Sequence, residues 1–249
     1  MKLTSREPLA VAVTGAIRSG DLPELRRLLD AHPGLAAARV THAPAEGGGA
    51  GTRSLLHLAT DWPGHCPGVA ATVALLVAAG ADPDARFGGA HRETPLHWAA
   101  SCDDVEALDA LLDVGADIEA DGAVIAGGTP LADARAFGQW RAARRLLAHG
   151  ARTTLQDAAT LGLREVVEEY VRSGRPDAED LTQAFWGACH GGHLATAQYL
   201  RGLGVDPGWV GWHGLTPLDA ARAQLAEGAE DPARSRAVVE WLAAGAPGE

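Results

Sequence analysis

At 249 residues the chain is long enough for one large core, two modest ones, or a stack of repeats that share a continuous core between neighbours. Acidic groups outnumber basic ones, and the net charge of -11 argues against nucleic acid, which needs a concentrated basic footprint, and favours a basic partner. Cys66, Cys102 and Cys189 are too scattered for a disulfide framework or a Cys-x-x-Cys metal knuckle and fit a reducing cytoplasm, while no apolar run approaches the roughly 20 residues of a membrane span.

Lys2 and Arg6 ahead of the apolar run from Pro8 to Ile17 imitate an export leader. The run is short, Glu7 interrupts the positive region, and the chain passes directly into an amphipathic helix, so the segment reads as folded and not exported. The first unit, about 8–40, is a helix to Ser19, a turn at Gly20-Asp21, and a helix from Leu22 to Ala31 with Leu25, Leu28 and Leu29 inward. Thr41 to Gly51 is Gly-rich and reads as a mobile loop.

The second unit, 54–86, opens Ser54-Leu55-Leu56-His57 and closes Leu76-Val77-Ala78-Ala79-Gly80-Ala81-Asp82. The third, 94–120, is the clearest. Thr94 caps, Pro95 takes the first helical position, and Leu96, Ala99 and Ala100 form an apolar face. Asp103-Asp104 turns the chain, Val105, Leu108, Leu111 and Leu112 recur at helical spacing, and Gly115 ends the helix. Between its helices the second unit carries Asp61-Trp62-Pro63-Gly64-His65-Cys66-Pro67 where the third has Ser101-Cys102. The excess is stiff and non-helical. Four more units follow at about 129–152, 153–178, 181–208 and 216–246.

Thr94-Pro95-Leu96-His97, Ala99-Ala100, Glu106, Leu111-Leu112 and Gly115-Ala116-Asp117 together resemble the signature of the ankyrin-repeat family. The resemblance spans essentially the whole chain as one domain, 1–249. It implies an all-α solenoid of about seven helix-turn-helix units with short hairpin fingers or loops, and a protein partner held by the concave face and fingers. Unit starts at Ser54, Thr94, Thr129, Thr153, Thr182 and Thr216 lie 40, 35, 24, 29 and 34 residues apart. Against a period of about 33, the fourth and fifth units have lost their fingers, and a raised finger returns at Asp206–Gly214.

His57 and His97 stand where the family ties neighbouring units by hydrogen bonds, so a structural use outweighs a chemical one. A turn histidine and a helix histidine such as His193 and His190 rarely converge on a metal, and no metal or cofactor is expected. Asp61, His65 and Cys66 hold the ingredients of an orienting carboxylate, a base and a nucleophile, but residues so close in a Pro-kinked loop more often form a packed lid with Trp62 as its plug. Seven tryptophans beside three phenylalanines and two tyrosines are unusual. For Trp98 and Trp186 core and contact readings stand level; Trp209 and Trp212 lie in a finger and favour contact.

The leading expectation is therefore a non-catalytic cytoplasmic module that binds a protein through Arg86, Phe87, Arg92, Trp98, Trp186, Trp209, Trp212 and His213. The alternative is an enzyme or small-molecule binder whose pocket uses His57, Asp61, Trp62, His65, Cys66, His97, Asp103 and His190. A cavity that brings two of those side chains to one point favours the second; a shallow groove with the histidines tied to backbone favours the first.

Overall fold

A computed structural model describes residues 1–42, 51–226 and 230–245. The chain divides into two compact units, 1–151 and 152–249. The first contains the helical pairs α1 (Pro8–Ser19) and α2 (Leu22–Ala31), α3 (Leu55–Thr60) and α4 (Val69–Ala78), α5 (Pro95–Ser101) and α6 (Val105–Asp113), and α7 (Pro130–Ala136) and α8 (Trp140–Ala148). The second contains α9 (Leu155–Thr160) and α10 (Arg164–Arg172), α11 (Ala178–His190) and α12 (Leu194–Arg201), and α13 (Pro217–Ala226) and α14 (Pro232–Ala244). The all-α repeat expectation is met.

Within the first unit the opening helices α1, α3, α5 and α7 stack in one layer and α2, α4, α6 and α8 in another. Each helix is too short to hide its apolar stripe alone, so the stripes meet between layers. Val13, Ile17, Leu25, Leu55, Leu56, Val73, Leu76, Leu96, Leu108, Leu111, Leu131 and Leu146 are fully buried there. The second unit buries Leu155, Val167, Phe185, Leu200 and Val238 in a core of its own.

Buried histidines join the repeats of the first unit. Glu93 O and Gly128 O can only accept, so Nε2 of His57 donates to Glu93 O at 3.1 Å and Nε2 of His97 donates to Gly128 O at 3.3 Å. Each Nδ1 therefore accepts, from Ser54 Oγ at 2.7 Å and Thr94 Oγ1 at 2.9 Å. The same carbonyls take finger amides, Phe87 N at 2.8 Å and Ala123 N at 2.9 Å. Burial lowers the imidazole pKa values to about 3 for His57 and about 4 for His97, so both rings are neutral at pH 7.

Three elements depart from the sequence reading. A sheet of β1 (Lys2–Thr4), β2 (Arg39–His42) and β3 (Gly51–Ser54) covers the first unit's start, β1 parallel and β3 antiparallel to β2. The expected Gly-rich loop is bracketed by β2 and β3, and its residues 43–50 lie outside the described residues. The sixth pair starts earlier than Thr182: Asp177 caps α11 through Glu179 N and Asp180 N, and Thr182 lies inside the helix, donating to Ala178 O at 2.8 Å. An Asp-x-x-Asp capping box outcompetes the threonine. In the fifth pair Thr154, one residue after Thr153, is the cap.

Asp61–Gly68 joins α3 to α4, against Cys102–Asp104 between α5 and α6. This long connection is docked. Asp104, 1% exposed, caps Ala107 N with Oδ1 at 3.0 Å and receives His65 N on Oδ2 at 2.5 Å. A Cβ on Gly64 would lie 2.9 Å from Cys102 Cβ, so only glycine lets the backbone come this close. Asp104→Ala removes the cap and strands the His65 amide, and is expected to cost about 2–3 kcal/mol in urea unfolding; a loss under about 0.5 kcal/mol would mean that the connection is held elsewhere.

Candidate functional site

Around α5 of the first unit lies an open groove of about 480 Å³. The docked connection supplies Asp61 and Trp62, the finger before α5 supplies Glu93, α5 supplies Trp98 and Ser101, and Cys102 follows it. Val124 of the next finger, Phe137 and Gln139 complete the wall. Trp62 is 80% exposed and Phe137 40% exposed, large apolar surfaces in water on either side of a depression. Trp62 is thus not the plug expected of it: the backbone of Gly64 and His65 docks, and the ring is held outward.

Trp98 is held from several sides. His57 meets it edge-on at 4.8 Å between centroids, Phe87 packs at 5.4 Å, and the Arg53 guanidinium lies 5.2 Å from its ring centre. Its indole N–H bonds the Glu93 side chain. Arg53 is in turn committed to Asp61, NH1 to Oδ2 at 2.8 Å, and Arg18 meets the same oxygen at 3.0 Å. Asp61 is therefore neutralised twice over. Among the described residues Glu93 takes the indole bond and has His91 nearby, and burial raises its carboxyl pKa.

Behind the groove, Asp133 is fully buried on α7. Its Oδ1 accepts Val124 N at 3.1 Å, the Ile125 amide also bonds to it, and Oδ2 has no partner among the described residues. Desolvation first, and the nearby Glu93 charge second, raise its pKa to about 7.

The catalytic ingredients do not converge. Asp61 faces Arg18 and Arg53, His65 leans on Asp104 with Nδ1 3.8 Å from Oδ1, and burial together with Asp104 pushes the Cys66 thiol up, away from the thiolate a nucleophile needs. His57 and His97 are spent between repeats. Asp103 takes the left-handed turn conformation at φ 54° and caps Ala142 N at 2.7 Å. His190 is buried against Trp186, ring centroids 5.2 Å apart.

The proposed contact residues divide similarly. Arg86 ties one finger to the next through Asp121 at 2.8 Å and the Arg92 carbonyl at 3.1 Å; Arg92 itself is exposed, and Phe87 is half-buried under Gly51 and Gly89. Trp186 belongs to the interior: it is 4% exposed and donates to Leu215 O at 2.9 Å. Trp209 and Trp212 are half-buried, the first against Gly211 and the second edge-on to the exposed His213 at 4.5 Å. Asp61, Trp62 and Trp98 are the candidates the groove brings together. Glu93, Phe137 and Asp133 were missed. Asp133, an acid beside Leu131 and Ala134 in a buried stripe, was the available signal.

Residues 56–157 match the family model for ankyrin repeats in three copies. Residues 56–157 are ankyrin repeats. No curated protein matches the sequence. Ankyrin repeats are generally protein–protein interaction modules and typically non-enzymatic. The groove lies on the matched repeats, and among the described residues no helix is long and apolar enough to cross a membrane.

Asp133 gives this ankyrin array a readable pH signature. The folded state keeps the proton up to about pH 7, whereas an unfolded aspartate releases it near 4, so this group weakens folding as pH rises through that window. His57 and His97 act oppositely, weakening folding as pH falls below about 6.5. Asp133→Asn leaves the histidines in place. Its stability advantage over wild type is expected to be absent below pH 4, to grow through pH 7 and to level near 3 kcal/mol, on the order of the shift discounted for the amide's own unmet bond. A difference independent of pH in chemical denaturation would refute this assignment.

Proposed function

We propose that this ankyrin-repeat chain is a non-catalytic binding module that recognises another protein through the groove of its first unit, with Trp62 as the projecting anchor. The observation that carries the reading is an 80% exposed tryptophan on a connection docked to Asp104 and Cys102. Exposing an indole in water is unfavourable, and docking this backbone limits the ordering entropy that binding would otherwise cost. Tryptophan is also among the residues that most often dominate binding energy. The cytoplasm is the proposed compartment, where three free cysteines can remain reduced.

An enzymatic reading has less support. The groove is open, its neighbouring histidines are bonded between repeats, and the Asp61, His65 and Cys66 side chains take separate partners. Trp209, Trp212 and His213 could at most add a second contact in the other unit.

A benzophenone cross-linker placed at position 62 is expected to trap one discrete protein, whereas the same group at exposed Val210 is not. Trp62→Ala should weaken that partner by about 2 kcal/mol or more while shifting unfolding free energy by less than about 0.5 kcal/mol. Unchanged affinity would remove Trp62 and the groove from the interface.

A further inference from the structure

Resting on the groove as the binding site, the charges within it distinguish what kind of side chain it accepts. Two carboxylates line it. Asp61 is closed to a partner, since both Arg18 and Arg53 share its Oδ2. Glu93 is different: it is 9% exposed and lines the groove, and among the described residues no arginine or lysine pairs with it in an ion bridge, its one basic neighbour being the exposed His91. Trp98 fixes that carboxylate by donating its indole N–H, which leaves further acceptor sites on the two oxygens.

The remaining walls suit an aliphatic stem. Val124, Trp62 and Phe137 offer apolar surface leading toward Glu93. A lysine or arginine has this composition, with a methylene stem that covers apolar surface and a cation at its end. Aromatic rings tolerate such a head where they would not welcome an anion. The chain's net charge of -11 draws a basic segment by long-range attraction as well. An acidic or purely apolar peptide would instead bury the Glu93 charge without compensation.

We propose that the groove takes a lysine or arginine side chain of a basic peptide segment, its stem against Trp62, Val124 and Phe137 and its cation on the Glu93 carboxylate. Specificity then comes from the groove acid that, among the described residues, no arginine or lysine pairs with, and Trp62 supplies contact area.

The test uses a phage-displayed library of random twelve-residue peptides selected on the whole chain, with Trp62→Ala as the counter-selection. Trp62-dependent peptides are expected to share a Lys or Arg. Replacing that residue by norleucine, which keeps the stem and deletes the charge, should weaken binding to wild type about tenfold or more and to Glu93→Gln less than twofold. Glu93→Gln keeps its size and should melt within a few degrees of wild type; the norleucine exchange leaves the protein untouched in any case. Trp62-dependent peptides lacking a basic residue, or a norleucine effect equal on both proteins, overturn the cation proposal and leave the groove as the binding site. Peptides indifferent to Trp62→Ala overturn the groove itself.

Discussion

His57 and His97 each accept a hydrogen bond from the N-terminus of their own helix and donate one to a carbonyl of the following finger, and the rest of the first unit is arranged around those two links. The rings must be neutral to do both, and burial keeps them so. Removing a ring would orphan a buried carbonyl lone pair and a helix-cap amide together, each worth about 1–3 kcal/mol. Backbone complementarity between repeats is thereby fixed by groups that carry no charge at neutral pH. The edge of the layer formed by α1, α3, α5 and α7 is then free to carry function.

What the edge carries follows from that rigidity. The carbonyl that receives His57 belongs to Glu93, so the link between repeats also sets where the Glu93 side chain emerges. His57 meets Trp98 edge-on, and Trp98 bonds Glu93, which makes that groove carboxylate part of the same assembly. On the opposite wall, Asp104 performs a comparable double duty, capping α6 and holding the connection that bears Trp62. Groove walls built from repeat junctions are expensive to move, which suits recognition by a preorganised surface.

Much of this was legible in the sequence because repetition supplies an internal ruler. Thr94-Pro95-Leu96-His97 fixed the register in which Ser54 and His57 could be read, and the excess at Asp61–Pro67 stood out against it. Where local chemistry overrode the ruler, the reading slipped: Asp177 and Asp180 made a stronger cap than Thr182, and α11 began a turn early. Strand β1 carries no alternation long enough to detect in Lys2–Thr4 and exists because β2 offers it an edge. The site was less legible than the fold. Tryptophan's abundance was visible, but whether a given indole is buried is settled by the backbone near it, as Leu215 O does for Trp186 and Gly64 does in the opposite sense for Trp62. Glu93 and Phe137 reach the groove from different repeats, a proximity that no linear spacing reveals.

The most direct test of the central claim is hydroxyl-radical footprinting of the chain with and without the protein captured at position 62. Side chains that become buried in the complex lose oxidation. Strong protection of Trp62 and Phe137 is expected, with exposed Leu203 and Val210 of the second unit unchanged. Protection confined to Leu203, Val210 and the Trp209–His213 finger, with Trp62 as reactive as before, would contradict it.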